Sequence, residues 1–181
     1  MDKQSLREHA KQIRKKAGTS IISLAICNNI KQSEEYKRSK NIMMYYPFGS
    51  ELNLLKLMDD TSKSWFLPKV SGDELDVYIY QKGDPLNINQ WQIKEPCLEE
   101  RKTNKNSLDL VIIPGLCADK KGFRLGYGMG FYDRFVRNLP TNCIKMLPVV
   151  DELFMDEIPK DLWDEPIDIV VTEKGSFKIN S

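Results

Sequence analysis

A chain of 181 residues, 41% hydrophobic and 29% charged, suits one compact domain with a real core and is short for two independent ones. Its 27 Lys plus Arg balance 26 Asp plus Glu, so the basic excess with which nucleic-acid binders neutralise phosphates is missing. No apolar run reaches the roughly 18 residues of a membrane span, and a lone histidine, His9, excludes triad and multi-histidine zinc chemistry that does not use it.

The segment MDKQSLREHAKQIRKK is charged from its second residue and has no apolar core, so a signal peptide is not expected. Leu6, Ala10, Ile13 and Ala17 form one helical stripe, with Lys3, Arg7, Lys11, Arg14 and Lys15 around it and Gly18 as a stop. Thr19 or Ser20 is placed to cap a second helix through Ile21, Leu24, Ala25 and Ile30. Asn41 to Tyr46 reads as a buried strand ended by Pro47, and Leu52 to Met58 as helical. Trp65 to Leu67 and Leu75 to Tyr80 read as strands. Residues 81 to 107 read as a long loop, and loops of that length are usually functional or mobile.

Leu108 to Ile113, closed by Pro114-Gly115, is the clearest strand. A helix over Phe131 to Leu139 and strands over Ile144 to Val150 and Ile167 to Val171 follow. Strands alternating with helices predict a single α/β domain over residues 1–181, with a largely parallel sheet flanked by helices. Cys27, Cys97, Cys117 and Cys143 are scattered with no CxxC pair, which points to reduced thiols in a cytoplasmic protein rather than a zinc site or disulfide framework. No nucleic-acid or membrane partner is expected.

The most informative segment runs from Pro114 to Arg134, PGLCADKKGFRLGYGMGFYDR. Gly122, Gly126, Gly128 and Gly130 fall between a strand and a helix, where backbone amides can form an anion-binding nest and the helix start adds partial positive charge. Lys120, Lys121 and Arg124 stand beside them, so a glycine-rich polyphosphate loop is predicted; the alternative is a mobile turn without a ligand. The spacing is G-x-G-x-G, which is neither the P-loop nor the dinucleotide pattern. Asp151, about 20 residues on, is where a ribose-binding acid would stand in a nicotinamide-dependent oxidoreductase, the competing reading along with a nucleotide-binding protein of other chemistry.

That segment resembles the signature of the 5-formyltetrahydrofolate cyclo-ligase family, also called methenyltetrahydrofolate synthetases, through its R-L-G-x-G-x-G-[YF]-Y-D core. Lys3-Gln-Ser-Leu-Arg7 is similar to the family's K-x-x-L-R. Tyr46 followed by Glu51, Trp91 to Pro96, and Asp164-Glu-Pro-Ile-Asp168 to Thr172 resemble further family motifs in the family's order. Ala118 and Trp163 depart from it, standing where many members have Phe and His.

The resemblance implies an ATP-dependent ligase that turns 5-formyltetrahydrofolate into 5,10-methenyltetrahydrofolate, with Mg²⁺ as cofactor. It implies ATP contacts from Lys3, Gln4, Ser5, Leu6 and Arg7, and from Arg124, Leu125, Gly126, Tyr127, Gly128, Met129, Gly130, Phe131 and Tyr132, with Arg124 also catalytic. Tyr46, Glu51 and the Tyr127 to Phe131 stretch would meet the folate, with Phe48 and Trp91 as further ring-packing candidates. Asp133 and Asp164 would hold the metal, with Asp168 a poorer ligand. Read without the resemblance, Lys3 and Arg7 could line a solvated helix face, Asp133 and Glu51 could serve helix starts, and Asp164 could be a turn acid.

Overall fold

The computed structural model describes residues 1–179. Three helices open the chain: α1 (Lys3–Ala17), α2 (Thr19–Gln32) and α3 (Glu34–Arg38). Strands β1 (Asn41–Met44), β2 (Ser64–Ser71), β3 (Glu74–Tyr80), β4 (Lys102–Thr103) and β5 (Leu110–Ile112) follow. After α4 (Phe131–Arg137) come β6 (Ile144–Pro148), β7 (Ile169–Thr172) and β8 (Gly175–Lys178).

These eight strands form one sheet in the order β8-β7-β6-β5-β1-β2-β3-β4. The run from β7 to β2 is parallel, and β8, β3 and β4 are antiparallel additions at its two sides. A parallel strand is covered on both faces, so it needs a continuous apolar run rather than alternation. Leu110, Val111 and Ile112 of β5 and Val170 and Val171 of β7 are fully buried. Each such side chain contributes about 1.5–3 kcal/mol of burial free energy.

The predicted parallel α/β arrangement is therefore present, with local differences. The strands around Trp65 and Leu75 form a hairpin, Trp65 opposite Tyr80 through Ser71 opposite Glu74, because only Gly72 and Asp73 separate them. Leu52 to Met58 gives a 3-10 turn over Leu55–Asp59, one of several irregular pieces. The stretch from 81 to 107 holds a small hairpin, Leu86–Ile88 with Lys94–Pro96, as well as β4.

Two faces differ from the sequence pattern. In α2 the inward residues are Ser23, Ile26, Cys27 and Ile30, while Ile21 is 80% exposed. Gly18 stands at the cap position, and no side chain bonds there. In α1 the buried stripe is Leu6, Ala10, Ile13 and Arg14, so Arg14 takes the place expected of Ala17. Asp2 caps this helix by accepting a 2.8 Å bond from the Ser5 amide. α1 lies against the glycine segment, to which Arg7 and Arg14 both donate hydrogen bonds.

Candidate functional site

Between β5 and α4 the chain first makes a small hairpin. Cys117–Asp119 pairs with Arg124–Leu125, and Phe154–Met155 adds in parallel. Asp119 is fully buried and organises the turn, accepting from the amides of Lys121 (2.9 Å), Phe123 (3.0 Å) and Ile158 (3.2 Å). Gly122 occupies the turn with φ +87°, and a Cβ there would stand 2.8 Å from the Ile167 carbonyl oxygen.

This hairpin corrects part of the sequence reading. Lys120 and Lys121 pair with Asp156 (2.6 Å) and Glu157 (2.7 Å) on the outside of the molecule. Neither they nor Gly122 line the cavity described next. The turn consumes those residues, and this segment reaches the cavity only from Arg124 onward.

Residues 126–130 border a cavity of about 460 Å³ between α1, the hairpin near Trp91, the turn after β1 and the 161–164 segment. Arg7 and Lys3, one helical turn apart, enter it from α1. The Arg7 Nε donates to the Gly126 carbonyl at 3.0 Å, and its guanidinium covers Gly128 so closely that a Cβ would lie 3.4 Å from it. Gly128 has φ +101°, a conformation that a β-branched residue resists.

Three carboxylates are held here by cations. Arg124, 6% exposed, reaches Asp133 at 3.0 Å and donates to the Glu165 carbonyl at 3.3 Å, while its Nε has no partner. Lys3 bridges Asp164 (2.7 Å) and Asp161 (2.8 Å). Burial works against the Lys3 ammonium, but the Asp161 and Asp164 carboxylates outweigh it and hold its pKa above the usual lysine value. Among the described residues no group of three or more His, Cys, Asp or Glu is arranged to hold a metal ion.

The other part of the cavity is aromatic with a half-buried acid, Glu51. Tyr46, Phe48, Trp91 and Phe131 line it, Trp91 and Phe131 meeting edge to face at 5.7 Å, and Lys94 lies over the Tyr46 ring. Glu51 accepts a 2.9 Å bond from the Phe48 amide. Burial pushes the Glu51 carboxyl above its ordinary pKa, while the Phe48 amide, Arg14 and Tyr127 pull it back. Burial and the same carboxylate push the Tyr127 hydroxyl well above the usual tyrosine range. Amides, Lys3, Arg7 and Arg124 suit a polyanion; flat rings with one carboxylate suit a planar ligand bearing N–H donors.

The cavity brings together most residues singled out from sequence: Lys3, Arg7, Tyr46, Glu51, Asp133, Asp164 and the run from Arg124 to Tyr132. It does not include Gln4, Ser5 or Leu6. Leu6 is in the core, Gln4 bonds Glu8 on the surface at 3.1 Å, and Ser5 takes part in the helix cap. Asp151 lies elsewhere, bonded to Thr172 and Lys174, so nothing supports a ribose-binding role for it. Asp168 instead accepts from the Lys145 amide at 2.7 Å. The sequence reading assigns no role to Glu95 and Asp161, which line the cavity, Glu95 accepting from the Val70 amide at 3.0 Å, or to the buried Arg14; the available signal for Arg14 was a charge four residues after Ala10, on the apolar stripe.

A mainly parallel sheet carrying one cavity wall of glycine loop and cations, faced by aromatic rings and the half-buried Glu51, gives an α/β protein whose cavity suits a polyanion beside a planar ligand. Comparison with known proteins specifies it further. Residues 1–173 match the model of the 5-formyltetrahydrofolate cyclo-ligase family, and the chain belongs to that family of ligases. A probable 5-formyltetrahydrofolate cyclo-ligase of Schizosaccharomyces pombe is 31% identical over 169 residues, 83% of each chain. The Haemophilus influenzae 5-formyltetrahydrofolate cyclo-ligase is 31% identical over 146 residues, 76% of this chain and 78% of its own. The NMR structure of Aquifex aeolicus 5,10-methenyltetrahydrofolate synthetase superposes with a TM-score of 0.87 at 30% identity, covering 100% of this chain and 94% of that one.

Proposed function

We propose that this protein uses MgATP to convert 5-formyltetrahydrofolate into 5,10-methenyltetrahydrofolate, releasing ADP and phosphate. The observation that carries this reading is one cavity in which Arg7, Arg124 and the 126–130 loop face the rings around Glu51. A nucleotide triphosphate and a pterin bound there would meet at the Tyr127 to Phe131 stretch.

The formyl oxygen of the folate attacks the γ-phosphorus, and ADP leaves. N10 then attacks the formyl carbon, now activated as an N5-iminium phosphate. The carbon–oxygen bond breaks, phosphate departs, N10 loses its proton, and the methenyl bridge is closed. Phosphorylation is required because the oxygen of an amide-like formyl group is a poor leaving group.

The chain's part is positioning and charge stabilisation, as in other phosphoryl transfers. Arg124 is the residue assigned to the transferring phosphoryl group, because its guanidinium is buried with an unpartnered Nε. Lys3 and Arg7 hold the polyphosphate from α1. Glu51 accepts from the pterin amino and ring N–H groups, with Tyr46, Phe48 and Trp91 packing the rings. Asp133 and Asp164 are the hard oxygen donors for Mg²⁺, which would bind through them jointly with phosphate oxygens, since no complete protein cluster exists among the described residues. The ion would supply charge neutralisation between phosphates.

Release of ADP from ATP tests the reading. It should depend on added 5-formyltetrahydrofolate, mole for mole with folate consumed. ATP hydrolysis indifferent to the folate would refute it.

A further inference from the structure

Arg14 is 2% exposed, yet no carboxylate pairs with it among the described residues. Its Nη2 donates to the Gly115 carbonyl, its Nη1 lies 3.4 Å from the Tyr127 hydroxyl, and its Nε is unpartnered. An isolated buried guanidinium is costly unless something offsets it. The Tyr127 hydroxyl that Arg14 meets lies beside Glu51 in the cavity wall, and the Arg14 charge pulls the Glu51 carboxyl pKa down.

We infer that Arg14 is a positioning residue for the folate half of the cavity: it fixes the Tyr127 hydroxyl towards Glu51 and provides the positive charge that this carboxylate faces. The inference rests on the proposed folate role of Glu51 and adds a residue outside the cavity lining. Four titratable or charged groups are coupled electrostatically to the Glu51 carboxylate: Arg14 from α1, Tyr127 from the glycine loop, Tyr45 after β1, and Tyr132 on α4. Arg14 is the cation of the set, and the three hydroxyls stay neutral because burial and Glu51 raise their pKa values. Burial alone would push Glu51 towards its protonated, poorly accepting form; Arg14 opposes this. The anchor on Gly115 ties the same guanidinium to the start of the 115–130 segment, so its position and that of Tyr127 are set together.

The test is calorimetric titration of 5-formyltetrahydrofolate and, separately, ATP, across pH 5 to 8, with the wild type, Arg14→Met and Arg14→Lys. Arg14→Met should bind the folate about tenfold more weakly at neutral pH, and the acid limb of its folate affinity should move up by about one pH unit. ATP affinity should stay near wild type. Arg14→Lys keeps the charge but loses the two-pronged contact, so its acid limb stays in place while folate affinity drops several-fold. Arg14→Met with wild-type folate affinity and acid limb overturns the inference. Should Arg14→Met fail to fold, Arg14→Lys decides: unchanged folate affinity there overturns it. A wild-type protein that binds no 5-formyltetrahydrofolate would instead defeat the functional reading, a separate result.

Discussion

Lys3 and Asp164 are 161 residues apart in the chain and joined by a 2.7 Å ion pair. The contact fastens the first turn of α1 to the segment preceding β7. Asp164 also accepts from the Asp161 amide at 2.8 Å, so the 161–164 turn is held in place by the same carboxylate. A lysine and an acid expected to serve phosphate and metal thus already sit together. In the proposed reaction both would exchange partners when MgATP arrives.

Asp164→Asn and Asp133→Asn should each weaken Mg²⁺-dependent ATP use, because a hard charged donor is removed with shape preserved. Their stabilities should differ. Asp164→Asn leaves Lys3 its second partner Asp161 and should cost within about 1 kcal/mol. Asp133→Asn deprives the buried Arg124 of its acid and should cost on the order of 2 kcal/mol. Magnesium titrations of activity and urea melts measure the two effects; unchanged magnesium dependence in both variants would remove the metal assignment.

Gly128→Val and Gly122→Ala should fail in different ways. At position 128 the side chain meets the Arg7 guanidinium at φ +101°, inside the cavity, so nucleotide affinity should fall more than stability. At position 122 the Cβ collides with the Ile167 carbonyl at φ +87°, away from the cavity. That variant should lose about 2 kcal/mol or more of stability and keep its nucleotide affinity if it is folded. Thermal melts with and without MgATP separate the outcomes.

The contrast between these glycines shows what the sequence could convey. Four glycines in a short span announce a special loop, and three of them do border the cavity. The fourth belongs to the turn of a short hairpin that Phe154–Met155, some thirty residues on, joins as a third strand, and no local pattern reports that. The central strands were legible because burial on both faces demands uninterrupted apolar runs. The short edge strand β8, Gly-Ser-Phe-Lys, was not, since it pairs on one side only and carries no such run. From sequence Arg14 reads as exposed, despite its place on the apolar stripe, because charged side chains normally face water; its burial follows from where α1 docks.

Glu51→Gln should separate the two substrates. Replacing a charged acceptor with an amide, one end of which is a donor facing donors, should cost on the order of 2 kcal/mol, or about thirty-fold, in folate affinity. ATP affinity should hardly change. Stability should move oppositely with pH. Glu51 holds its proton to higher pH when folded than when unfolded, so the wild type loses stability as pH rises through that interval. Gln does not titrate. The melting temperature of the variant minus that of the wild type should therefore grow as pH rises from the ordinary glutamate range. A constant difference would mean that burial does not strain this carboxylate.

The most direct test of the whole account is near-ultraviolet absorbance of 5,10-methenyltetrahydrofolate in a mixture of the protein, 5-formyltetrahydrofolate, ATP and Mg²⁺. The account predicts that the signal rises only when all four are present and stops when ATP is exhausted. Product formed without ATP, or none from a folded sample that binds both substrates, would contradict it.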